Sequence, residues 1–405
     1  MDNYIAGIRG EIIINNAKLA SIEGQKGVHD SQVLFGKVKT KGCVIVLYRG
    51  SDAYYLNIIH PTTNVIVHSF DVAKATGWAP RMYQRDEDTI RVMYTKNKEK
   101  VFYRDFVMSK ALLNSEEEFL VAIKDNSDKY TKPQPFTLDK FMEHCFNVTG
   151  IDYRKDKYKE FASRNLLVED TQQIQKVGDK YYLTAEVLAD KKPGGDCGGI
   201  ACLMWSKDLN VWYLNNPLRM VEDYSDQTDH EISATYLNGT WHALTRHNKY
   251  TFGAPTGFRY YTSADGDNWK LHGLSPIPNA HGGIRHAIYK MKLLSSKPEG
   301  SSANKSSAEV AFILYQKIPN TASFCEFDDT SHMLRTELSL VYTTDFKTFK
   351  TVANISDRAQ LHYPSMTMYQ DSLYMCWSSA RSGNNFVSSI QWSSYNLGNV
   401  RIDNE

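Results

Sequence analysis

The chain has 405 residues, 42% of them hydrophobic, and a formal net charge of +1. That is enough apolar content for a large core, and too balanced a charge to announce nucleic acid or an anionic membrane surface. No stretch is apolar for long enough to span a bilayer.

The six cysteines, Cys43, Cys145, Cys197, Cys202, Cys325 and Cys376, are scattered with no CxxC pair. This argues against a disulfide scaffold and leaves no zinc or other metal site to propose. Cys197 and Cys202 bracket Gly-Gly-Ile-Ala, where a bridge across a loop is one option, and they read as free thiols. Tyrosine is abundant at 25, which suits both β structure and sugar-binding clefts.

In chain order, "MDNYIAGIRGE" is not a signal peptide. The chain is expected to be either cytosolic or, with a leader removed, secreted, periplasmic or at the cell surface. "EIIINNAKLA" has the pattern of a strand able to close the last module of the fold. "HDSQVLFGKVKTKGCVIVLYRGSD" and "WAPRMYQRDEDTIRVMYTKNKEKVFYRDF" each read strand, turn, strand. Residues 108 to 165 hold "SEEEFLVAIKDN" and "TLDKFMEHCFNVTGI", whose spacing and capping residues predict a helical insertion within the second module.

Hairpins resume with "TQQIQKVGDKYYLTAEVL", turning at Gly178-Asp179, and "DHEISATYLNGTWHALTR", turning at Asn238-Gly239. "IRHAIYKMKLL" pairs with "AEVAFILYQK" across a Ser-rich tip, 294 to 308, read as flexible. "HYPSMTMYQDSLYMCWSS" turns at Gln370-Asp371. Hairpin openings fall near His29, Trp78, Asp170, Glu231, Arg285 and Tyr363. The expected fold is therefore all-β: a single six-bladed β-propeller domain over residues 1 to 405, with four-stranded antiparallel blades.

A repeat supports this. "SKDLNVW" at Ser206, "SADGDNW" at Ser263 and "TTDFKTF" at Thr343 all fit S/T-x-D-x-x-x-W/F, each after an apolar strand. The Ser/Thr and Asp side chains are expected to bond nearby backbone N–H groups, with the aromatic tucked beneath. These turns join third to fourth strands, so they lie at the rim opposite the start of the first strands.

The Asn238-Gly239 turn pairs Leu237 with Thr240, so paired residue numbers sum to 477 and Glu231 faces Arg246. As a plain cross-strand ion pair this would be worth about 0.2–1 kcal/mol. Glu231 stands seven residues before Asn238, Tyr363 seven before Gln370, and His29 seven before Gly36, so the three are read as equivalent. First strands line the axis, and Arg246, Arg49, Asp52 and Arg335 map to the same rim. A glutamate, a tyrosine and several arginines converging there exceed what a solvated face requires.

On these residues the chain resembles the sialidases of the six-bladed propeller superfamily. The three turns look like that family's Asp boxes. "EISATYLNGTWHALTR" is similar to its catalytic-Glu hairpin, with Arg246 in place of an arginine that binds the substrate carboxylate. Arg335 in "RTELSLVYTTD" matches a second such arginine. Tyr363 matches the nucleophile and Asp52, in "LYRGSD", the acid/base.

One position departs. The first arginine of that family's triad is expected where "VHDSQ" places His29, and Arg49 or Arg81 are the candidate replacements. Arg285 in "GGIRHAIY" is a further candidate contact. The chemistry suits the types: a neutral tyrosine, unlike a carboxylate, is not repelled by a sialoside's carboxylate, and a neighbouring Glu can take its proton. Arginine forks bind carboxylates bidentately.

The resemblance implies a hydrolase that removes a terminal acidic sugar from a glycan, without a cofactor and without nucleic acid as partner. Two other readings stay open: a propeller polysaccharide lyase, with His29, His242, Tyr363 and Arg246 acting beside a uronate carboxylate, and a non-catalytic glycan-binding propeller.

Overall fold

The structure is a computed structural model. It describes residues 8–9, 17–18, 29–63, 65–77, 80–155, 163–169, 174–190, 197–222, 229–246, 257–280, 285–295, 307–317, 337–356, 360–369, 372–380, 388–396 and 401–402. These form a propeller-like arrangement of antiparallel sheets built on four-stranded units, with one helix among the described residues.

The described strands fall into six sheets that follow one another along the chain, three of them four-stranded and the others larger. The first runs His29–Val38, Lys41–Arg49, Ala53–Ile59 and Ile66–Lys74, and the fourth His230–Leu237, Thr240–Arg246, Arg259–Ser263 and Lys270–Leu274. The sixth joins Gln360–Tyr369, Ser372–Ala380 and Ser388–Asn396 to Ala17–Lys18. The expected N-terminal strand thus completes the last sheet, at Ala17–Lys18. A second pairing, Ile8–Arg9 with Arg401–Ile402, extends the fifth sheet.

The strands read as they pair. "CVIVLY" in the first sheet is buried on both faces, as a strand between packed layers must be. Among large apolar side chains of this sheet, exposure comes in the outer strand, where Ile66 and Val67 face solvent. Neighbouring sheets are stitched by buried polar bonds. Met82 N donates to Gln32 Oε1 (2.6 Å), Val33 N to Ser365 Oγ (2.9 Å), and Gln175 Nε2 to Ala234 O (2.7 Å).

The insertion differs from the expectation. "TLDKFMEHCFNVTGI" gives the helix Leu138–Thr149, capped by Thr137 and ended by Gly150 at φ 75°. "SEEEFLVAIKDN" is not helical: it forms Glu117–Glu118 and Leu120–Ala122. Phe119, Val121 and Ile123 alternate into the core with period two, and that burial outweighs local helix propensity. Leu120–Ala122 pairs in parallel with Val211–Pro217, so the insertion serves the third sheet as well as the second.

Most of the Ser-rich tip, residues 296–306, lies outside the described residues, as do Arg335 and the turn at 370–371. No described helix is long and apolar enough to cross a membrane.

The three repeats form one hydrogen-bonded turn. In each, the hydroxyl of Ser206, Ser263 or Thr343 accepts from the backbone N–H groups two and three residues on. The carboxylate of Asp208, Asp265 or Asp345 likewise accepts from N–H groups two and three residues beyond itself. The residue after each Asp has positive φ: Leu209 63°, Gly266 77° and Phe346 56°.

Candidate active site

At the opposite rim, three inner strands carry the same irregularity. His29 pairs with Arg49 but Gln32 with Leu47; His230 with Arg246 but Ser233 with Leu244; His362 with Ser378 but Ser365 with Cys376. In each, two residues face one on the neighbouring strand, which is a β-bulge. Glu231–Ile232 and Tyr363–Pro364 fill two of the bulges. Glu231 has φ 47° and Tyr363 φ 50°, a left-handed conformation costly for a side-chain-bearing residue and held by its surroundings.

The bulge corrects the expected register. Arg246 faces His230, not Glu231, because the extra residue shifts the pairing by one. The contact forms nonetheless: Arg246 Nη1 lies 2.8 Å from Glu231 Oε2, with both side chains largely buried. The turn of the first sheet also differs from the expectation. It falls at Lys39-Thr40, with φ 46° and 73°, not at Gly36. His29 therefore matches His230 and His362, and Asp30 takes the place that Glu231 and Tyr363 hold.

What holds the Glu231 bulge is a buried anion two residues earlier. Asp229 is 0% exposed and accepts from Thr245 Oγ1, Arg259 Nη1 and Tyr261 Oη, each at 2.8 Å, with Arg219 Nη1 at 3.5 Å. Burial, then the Asp229 charge, pushes the Tyr261 phenol well above its usual range, so it stays a donor. Ile232 N donates to Glu186 Oε2 (3.3 Å), a carboxylate from the third sheet that is also 0% exposed. Gly199 passes beneath: a Cβ there would stand 2.3 Å from His230 Cβ and 2.5 Å from Asp229 O. Only glycine permits that approach.

From the fifth sheet come Arg285 and His286, both buried. Ser233 Oγ donates to His286 O (3.3 Å). Burial first holds the His286 imidazole down to about 3; Glu231 opposes this and Arg285 adds to it, so both charges act on this ring. Arg285 also acts on the Cys376 thiol of the sixth sheet, which burial pushes up to about 11. Arg285 is thus set among the inner elements of the fourth, fifth and sixth sheets.

Of the other expected residues, Tyr363 is half-buried at its bulge and Arg49 is half-buried opposite His29. Arg81 is buried at the start of Arg81–Gln84, its Nη1 donating to Pro80 O at 2.9 Å. Asp52 is exposed on the loop after Lys41–Arg49 and accepts from Tyr55 Oη at 2.9 Å. His242 is not brought to this rim. Its ring stacks 4.2 Å from Phe346, in the turn at the other end, and bonds Tyr260 Oη at 2.7 Å. No group of His, Cys, Asp and Glu able to hold a metal occurs among the described residues.

Asp229, Glu186, His286 and Gly199 were missed by the sequence reading. One signal was present: "HDSQ", "HEIS" and "HYPS" each place a His three residues before the pairing resumes beyond the bulge.

Several solved structures are similar in fold. Trypanosoma rangeli sialidase in complex with the inhibitor DANA matches with TM-score 0.52 and 12% identity, over 98% of this chain and 60% of that one. The same enzyme in complex with 2,3-difluorosialic acid, a covalent intermediate, gives 0.52 and 12% over 96% and 59%. A mutant displaying trans-sialidase activity gives 0.51 and 12% over 92% and 54%. The chain thus spans less than two thirds of those sialidases' length, and at this identity the likeness is one of fold. No protein-family model matches the sequence, and no curated protein matches it.

Proposed function

We propose that this chain is a sialidase-like glycoside hydrolase, a six-bladed propeller that releases a terminal acidic sugar from a glycan. The observation that carries the reading is the shared bulge. Glu231 and Tyr363 occupy one equivalent, left-handed position on two inner strands, and Arg246 is bonded to Glu231. The similarity in fold to sialidases and the three Ser/Thr-x-Asp turns, read as Asp boxes, support it.

In this mechanism Glu231 takes the proton of Tyr363 Oη as the oxygen attacks the anomeric carbon. The glycosidic C–O bond breaks, and an acid protonates the leaving oxygen; the sequence reading gives that part to Asp52. Water then cleaves the tyrosyl–sugar bond, the acid's conjugate base takes the water's proton, and Glu231 returns its proton to Tyr363. Arg246, bonded to Glu231, is assigned the substrate carboxylate, with Arg285, Arg49 and Arg335 as further cations and His29 at the rim.

The test is chemical trapping. Incubation with a 2,3-difluorosialic acid and digestion should yield one tyrosyl–sugar adduct, on the peptide carrying Tyr363, and Tyr363→Phe should abolish it. Turnover of aryl sialosides without any adduct, or an adduct elsewhere, overturns the assignment. An unsaturated uronate product would instead select the lyase, whose base would not be His242. Glycan binding without turnover would select a binding propeller.

A further inference from the structure

Of the large apolar side chains exposed among the described residues, Val65, Ile66, Val67 and Leu112 gather at one corner of the molecule, and Leu271 stands elsewhere. The corner is the end of the first sheet away from the bulges. There Val38 pairs with Lys41 across the Lys39-Thr40 turn, and Ile59 pairs with Ile66 across the next loop. His60 holds that loop. Its backbone N donates to Val65 O at 2.9 Å, and its Nδ1 accepts from Thr62 N and Thr63 N, each at 3.3 Å. The second sheet joins the corner: Lys39 N donates to Met108 O at 3.1 Å. The Phe70 ring lies 5.3 Å from that of Phe106, which pairs with Leu113, and this brings Leu112 up to the outer strand Ile66–Lys74.

The charge at this end of the first sheet has one sign. Lys37, Lys39 and Lys41 are exposed, and Lys110 is exposed beside Leu112. Residues 37–44 and 58–67 contain no Asp or Glu. The acidic turn Asp86, Glu87 and Asp88 belongs to the second sheet, where Asp88 already accepts from Ser109 N and Oγ. The positive charge therefore lies on the sheet that carries Val65, Ile66 and Val67. The turn itself is a costly choice. Lys39 and Thr40 have φ 46° and 73°, a strain that an Asn-Gly pair, as at 238–239, avoids. A surface task for the Lys39 ammonium accounts for it.

We propose that this corner docks the protein on an anionic lipid bilayer. Val65, Ile66, Val67 and Leu112 enter the headgroup region, and Lys37, Lys39, Lys41 and Lys110 meet the acidic headgroups. A two-fold contact between copies would instead bring the same lysines of both chains to one interface, where they repel. The chain's net charge of +1 gives no general attraction, so binding depends on this local patch. Glu231 and Tyr363 lie at the opposite rim, so docking leaves the candidate site facing away from the membrane. The proposal does not depend on the hydrolase reading.

The test is co-sedimentation of the full chain with vesicles of phosphatidylcholine, alone or with about 30% phosphatidylserine. The chain should pellet with the anionic vesicles and be released by about 0.5 M salt. Replacing Lys37, Lys39 and Lys41 together by Gln should weaken partition about 100-fold. Replacing Val65 and Val67 together by Ser should weaken it about 10-fold or more. Leu271→Ser should change nothing, and the melting temperatures of all three should stay near wild type, as exposed substitutions allow. On the unaltered chain, anionic vesicles should slow amide hydrogen exchange at residues 65–67 and 110–112, which reads the same surface without any substitution. No binding to the anionic vesicles, or protection at a different surface, overturns the proposal. So does binding that needs the lysines but not the valines, which would mark a site for a soluble polyanion. Sedimentation showing that the valines hold two copies together would overturn it as well.

Discussion

Glu231 and Asp229 are two carboxylates two residues apart with different tasks. Glu231 is bonded to Arg246 and keeps some exposure; Asp229 is fully enclosed by four donors. Glu231→Gln keeps shape and a hydrogen-bonding oxygen, so it should leave the melting temperature within a few degrees. In the proposed mechanism, where Glu231 is the general base, its loss should lower turnover by about 10²–10⁴-fold. Asp229→Ala removes the buried carboxylate that Thr245, the half-buried Arg259, Tyr261 and Arg219 share. Breaking a buried ion pair from one side costs about 3–5 kcal/mol, which denaturant titration should register. A stable Asp229→Ala variant with full activity would remove Asp229 from the account of how Glu231 is held.

At the scale of elements, the two rims divide the labour. One carries the Ser/Thr-x-Asp turns, whose carboxylates serve backbone N–H groups. Burial works to raise the Asp265 pKa, but bonds from Asn268, Asp267 and Ser263 outweigh it and hold this carboxyl far below the usual range. A folded-state pKa depressed in this way means stabilisation present above the unfolded value of about 3.9 and lost as the pH falls below it. The urea midpoint of Asp265→Asn should therefore lie below wild type at pH 6, and the gap should close toward pH 2. An equal gap at both pH values would show that the turn does not depend on the charge. At the other rim, Gly199→Ala pushes a methyl against His230 and Asp229. It should impair the Glu231 site more than any overlying substitution on the solvent side, seen as lost turnover together with a lower melting temperature.

At the scale of the molecule, burial acts on the imidazoles of His286, His144 and His242 among the described residues. Burial holds His286 down to about 3, and His144 and His242 to about 4. Each takes up a proton on unfolding at mildly acid pH. A depressed histidine contributes stability that is full above the unfolded value of about 6.5 and lost as pH falls through that range. Stability should thus decline from pH 7 to pH 4.5, and His286→Phe should flatten the decline. An unchanged pH dependence in that variant would contradict a neutral, buried His286. The polar stitches between sheets also predict cooperativity. Calorimetry should show one unfolding transition, and a chain cut near residue 225 should not give two halves that fold separately.

The sequence by itself determined the all-β, propeller-like arrangement of antiparallel sheets, because strand periodicity, Asn-Gly turns and a repeated Ser/Thr-x-Asp pattern are local signals. It also placed Glu231 against Arg246 and found the helix Leu138–Thr149 from its caps. It misread "SEEEFLVAIKDN", where helix-forming residues yield to a sheet edge that buries Phe119, Val121 and Ile123. Only the tertiary structure decided the bulges, the turn at Lys39-Thr40 and the enclosure of Asp229. A bulge is one residue of excess on one strand relative to another, so it exists only in the pairing. The partners of Asp229 come from Arg219 to Tyr261, and nothing in their spacing announces that they meet.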